Sequence, residues 1–140
     1  MANIDLLEGI RVLREKCKWL ESARAAAIEE AARIKGVNYE NTKVTGGRVH
    51  DVSDLLEKAE EKEARYFKRW HDMECKRLEA EARAEDTIPL LKDTTEARVL
   101  YSLYVQGQSV QEIADTLHFT GRNIYKIKKR AIAHYNELDL

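Results

Sequence analysis

The stretch from Ser109 to Tyr135, SVQEIADTLHFTGRNIYKIKKRAIAHY, constrains the fold more tightly than any other part of this chain. It holds two short helical patterns joined by a tight turn. Ser109 and Glu112 have capping-box spacing, which predicts a helix from Val110. Val110, Ile113, Ala114 and Leu117 then recur at i, i+3, i+4 and i+7 and form one apolar face. His118-Phe119-Thr120 makes the break, with Phe119 expected to tuck into the core of the turn and Thr120 to cap the next helix. The second helix is expected to bury Ile124, Ile127 and Ala131, joined by Ile132 or Tyr135. Arg122, Asn123, Lys126, Lys129 and Arg130 fall on its outward face, and no acid occurs from His118 to Asn136. One helix that braces and a second free to enter a groove is the build of a helix-turn-helix.

The side-chain chemistry agrees with that geometry. Arg and Lys bond guanine edges or phosphates, and Asn123 can offer adenine its paired bonds. Residues early in the second helix are placed to meet bases, whereas Lys128, Lys129 and Arg130 are placed to meet phosphate. A basic helix face by itself is as readily a solvated surface, so the braced first helix and the turn carry the reading.

The amino-terminal half reads as an assembly element. Ile10, Leu13, Cys17, Leu20, Arg24, Ala27, Ala31 and Ile34 step alternately by three and four residues, a heptad seam broken only at Arg24. Lys35-Gly36 is expected to end that helix, and residues 36–50 to form a loop. A second helix is expected from Asp51 or Ser53 to about Ala84. Val52, Ala59, Tyr66, Met73 and Ala80 recur every seven residues there, while Glu63 and Arg77 occupy the other seam positions and thin the stripe. Two long helices with facing stripes predict a coiled-coil-like antiparallel hairpin. Such a pair cannot cover Trp19, Tyr66, Phe67 and Trp70 by itself, so a homo-oligomer with these aromatics at its interface is expected.

Thr87-Ile88-Pro89 marks a boundary, because Pro89 starts rather than continues a helix. Thr94 or Thr95 then begins a helix with an apolar face at Ala97, Leu100, Tyr101, Tyr104 and Val105, and Gly107 supplies the bend before Ser109. The expected fold is all-α: a helical hairpin over residues 1–86, a linker at 87–93, and a three-helix DNA-binding module over 94–138. Composition agrees, since 35 % of residues are charged, 7 % are aromatic, and there is one Pro. The net charge of −1 hides an uneven layout: acids crowd Glu57 to Glu85 and bases the carboxyl end, and the local patch is what meets nucleic acid. Neither a signal peptide nor a membrane-spanning run is read from the sequence, so a cytoplasmic protein is expected.

Ser109-Val110-Gln111-Glu112-Ile113-Ala114, followed by Leu117, Thr120, Ile124, Ile127 and Lys129-Arg130-Ala131, resembles region 4 of the sigma-70 family. The preceding helix ending in Gly107 extends the likeness over residues 94–138. The whole chain is similar in architecture to small phage-encoded regulators of the ArpU and RinA type. The resemblance implies a transcription regulator, a late-gene activator of phages and prophages, that binds double-stranded promoter DNA and works with RNA polymerase in a bacterial host. Matching positions imply DNA contacts at Arg122, Asn123, Tyr125, Lys126 and Arg130, and Thr120 and Lys129 complete the candidate DNA-binding residues. Gly121 stands where sigma modules usually carry Arg, and His118 where Gly is common, so the bases read are expected to differ. Nothing here resembles the sigma segment that melts promoters.

Catalysis is not expected. Gly46-Gly47 lacks the Lys-Ser/Thr of a phosphate loop, and the carboxylates of Glu57, Glu60, Glu61 and Glu63 lie among lysines on one solvated helix. No cofactor is expected. His71 and Cys75 make only half of a metal site, so no metal is expected either. Two other functions share this architecture: a DNA-packaging protein like a small terminase subunit, and a sigma mimic that binds proteins rather than DNA.

Overall fold

The computed structural model describes residues 2–40 and 46–140. All regular structure among them is helical: α1 (Ile4–Glu40), α2 (Gly46–Thr87), a single 3₁₀ turn (Ile88–Leu90), α3 (Thr94–Leu100) continued by a π turn (Tyr101–Val105), α4 (Val110–Leu117) and α5 (Gly121–Asn136). The expected stop at Gly36 does not occur; α1 continues through it to Glu40, and α2 opens at Gly46, before Asp51. One glycine costs a helix interior about 1 kcal/mol relative to Ala, and a helix of 37 residues absorbs it. Residues 41–45 of the expected loop lie outside the described residues.

The chain forms two compact units that are not consecutive stretches of sequence. One comprises Met1–Arg14 with Cys75–Leu140, the other Glu15–Glu74.

In the Glu15–Glu74 unit, the α1 and α2 segments run in opposite directions. Arg24 Nε meets Glu63 Oε1 at 2.9 Å, Lys62 meets Glu30 at 3.6 Å, and Lys35 meets Glu60 at 3.7 Å. Arg24 and Glu63, which interrupt the two apolar stripes, are thus each other's partners. Cys17, Leu20, Ala27, Ala31 and Ala59 are buried between the helices, mostly small side chains that yield little apolar area. Trp19 packs edge-on against Tyr66 at 6.3 Å between ring centroids. Trp70 donates through Nε1 to Glu21 at 3.0 Å. Trp19 remains 63 % exposed and Phe67 42 % exposed.

The other unit has two adjoining cores. The first gathers Leu7 and Ile10 of α1, Ala84 of α2, Ile88, Leu91, Leu100, Tyr104 and Val105, with Ala131 and Tyr135 of α5. The second joins Val99 of α3, Ile113 and Ala114 of α4, and Ile124 and Ile127 of α5. Val99 is absent from the expected face of α3. It is fully buried, and the π turn that follows shifts the register so that Tyr104 and Val105 still point inward.

The amino terminus is bound to the end of α5. Asn3 Nδ2 donates to the carbonyls of Tyr135 (2.9 Å) and Leu138 (2.7 Å), and the Ile4 amide donates to Asn136 Oδ1 at 2.8 Å. The Tyr135 carbonyl also accepts from the Leu138 amide at 3.2 Å, so Asn3 adds a second donor where α5 ends. Tyr104 donates its hydroxyl to Glu8 at 2.9 Å. Burial first, then that carboxylate, push the phenol up to about 12, so it remains a donor at any ordinary pH.

Candidate nucleic-acid interface

The predicted caps on α4 and α5 form. Ser109 Oγ accepts from the Glu112 amide at 3.2 Å, and Thr120 Oγ1 accepts from the Asn123 amide at 3.2 Å. Between the two helices His118 adopts the left-handed conformation (φ 60°), and the Phe119 amide donates to the Ala114 carbonyl at 2.9 Å. This closes α4 and reverses the chain within three residues. Phe119 is turned outward and is 40 % exposed, contrary to the expectation that it fills the turn. The left-handed residue before it redirects the chain, and the core of Val99, Ile113, Ala114, Ile124 and Ile127 forms without it.

Helix α5 is seated by Ile124, Ile127, Ala131 and Tyr135, all buried as the spacing predicts; Ile132 is half-buried at the flank. At 3.6 residues per turn, Arg122, Lys126 and Lys129 stand opposite that stripe, with Tyr125 and Arg130 on either side. Thr120, Arg122, Tyr125, Lys126, Lys129 and Arg130 are exposed, and Tyr125 is 60 % so. Asn123 is half-buried, and its backbone amide is held by the Thr120 cap. Lys128 is also half-buried and leans toward the packed side, off the cationic arc. Among the described residues, none of Arg122, Lys126, Lys129 and Arg130 forms an ion pair. A row of unneutralised cations on a rigid helix is chemically suited to a polyanion.

Sequence reasoning misses two features of the site. Buried Glu96 of α3 meets His134 of α5 at 2.7 Å, and Arg14 of α1 supports the turn that leads into α4. Arg14 donates to the Tyr104 carbonyl at 3.1 Å and to that of Val105, and pairs with Glu81 at 3.2 Å. Neither has a local signature, because the partners lie 38 to 91 residues apart. No group of three or more His, Cys, Asp or Glu side chains among the described residues could hold a metal ion. No described helix is long and apolar enough to cross a membrane.

The site therefore belongs to an all-α protein with a short braced helix, a sharp turn and a cationic second helix. No protein-family profile, curated protein or solved structure matches the chain.

Proposed function

We propose that this protein is a sequence-specific DNA-binding transcription regulator, a phage or prophage late-gene activator that acts with the host RNA polymerase in the bacterial cytoplasm. In this reading α4 and α5 are a helix-turn-helix like sigma-70 region 4, and α5 is the recognition helix. The observation that carries it is the unpaired cationic arc of Arg122, Lys126, Lys129 and Arg130 opposite the buried stripe of α5. Arg122 and Asn123, in the first turn, meet base edges; Lys129 and Arg130 meet phosphates. The N-terminal helices form a hairpin that self-associates, supported by the exposure of Trp19 and Phe67 and by the small side chains buried between α1 and α2.

The test is a pair of substitutions measured against several duplexes over a range of salt. Asn123→Ala is expected to cost about 1–3 kcal/mol on the preferred duplex and to relax choice at one base pair. Lys129→Ala is expected to weaken all duplexes alike and to lower the salt slope by about one unit. Equal effects of both substitutions on every duplex would remove α5 from the role of recognition helix.

A further inference from the structure

We propose that Glu96 and His134 form a proton-operated latch that holds the last turns of α5 against α3. Glu96 is the one charged side chain among the described residues that is fully buried, at 2 % exposed. Its Oε2 lies 2.7 Å from Nδ1 of His134, whose side chain is 52 % exposed. One partner is thus fixed in the core while the other exchanges protons with solvent. A buried carboxylate is costly unless it is both hydrogen-bonded and charge-compensated. Imidazolium supplies both; neutral imidazole supplies at most the hydrogen bond.

The surroundings preserve this asymmetry. Arg130 on α5 and Glu137 just past its end act on His134 in opposite senses. From the α3 side, Lys92 and Asp93 border with Glu96, His134 and Glu137 a cavity of about 480 Å³. Asp93 already accepts from the Thr95 amide at 2.9 Å and the Glu96 amide at 3.3 Å, so it caps α3. The hydrogen bond to Glu96, then its charge, raise His134 above the ordinary histidine value of 6.5. A raised histidine contributes its stability in full below 6.5 and loses it as pH rises through the folded-state value. The latch is therefore closed below 6.5 and slackens as pH rises through the raised folded-state value. It does not depend on DNA binding; if α5 does read DNA, the same slackening lowers duplex affinity as pH rises.

An NMR titration of the His134 ring in the full chain, with urea unfolding from about pH 5.5 to about pH 8.5 across the histidine range, tests this. The wild type, His134→Gln and Glu96→Gln are compared. The His134 ring is expected to titrate above 6.5 in the wild type and to fall back toward it in Glu96→Gln. The wild-type folding constant is expected to drop further across the range than that of His134→Gln. A wild-type ring titrating at or below 6.5, or a His134→Gln profile parallel to the wild type, overturns the latch. Should Glu96→Gln fail to fold, the His134→Gln comparison and the wild-type titration still decide.

Discussion

Gly107 meets two constraints at once. Its φ of 69° lies in the left-handed region, and a Cβ added there would come within 2.7 Å of Arg14 Nη1. Left-handed backbone costs an L-residue about 1–2 kcal/mol, and here Arg14 cannot yield without giving up the Tyr104 and Val105 carbonyls. Gly107→Ala is therefore expected to destabilise the protein by at least that amount, measured as a drop in the urea midpoint. Tyr135→Phe is a milder change: it deletes the hydroxyl that lies 2.7 Å from Thr87 Oγ1 and keeps the buried ring. A loss of about 0.5–1.5 kcal/mol is expected. Gly107 is legible from sequence because a glycine three residues before an apolar run marks a bend. Phe119 is not, because apolarity alone does not show that His118 turns the chain away from the core. Glu96 and His134 leave no signal, since a lone acid and a lone histidine on separate helices look like solvated surface.

Elements are legible where a cap or a period is local. Ser109 and Thr120 start their helices at the expected residues, because a hydroxyl three residues before an amide donor is a contact within one turn. Thr120→Ala is expected to cost about 0.5–2 kcal/mol, and to loosen the first turn of α5, where Arg122 and Asn123 lie. Circular dichroism melts would show the loss of stability. Unchanged melting would mean that the 3.2 Å cap bond contributes nothing. The length of α1 is less legible, because Gly36 weakens a helix without stopping it. The π turn at Tyr101–Val105 has no signature in the sequence; a regular period from Ala97 assigns Val99 to the wrong side. Arg24 and Glu63 each read as flaws in a stripe, and only their pairing at 2.9 Å shows that two flaws can be complementary.

At the scale of the molecule, residues 1–14 belong with Cys75–Leu140 in one compact unit. Leu7 and Ile10 are fully buried in its core, and Asn3 closes the last turn of α5. Burying a large aliphatic side chain is worth about 1.5–3 kcal/mol, a large part of the stability of a domain this size. A chain lacking residues 1–14 is therefore expected to lose cooperative unfolding of that unit, followed by near-ultraviolet circular dichroism of Tyr104 and Tyr135. A cooperative transition retained in that truncation would show the unit stable without α1. Sequence patterns report neighbours along the chain and so cannot place Asn3 beside Tyr135. The cationic face of α5, by contrast, is legible from sequence, because helical period and charge together fix which residues face away from the core. What that face does is tested most directly by selecting bound duplexes from a random DNA library with the purified protein at near-physiological salt. Recovery of a defined motif, lost in Arg122→Ala/Lys126→Ala, is the result a sequence-specific regulator requires. Retention of no duplex, even at low salt, would contradict it.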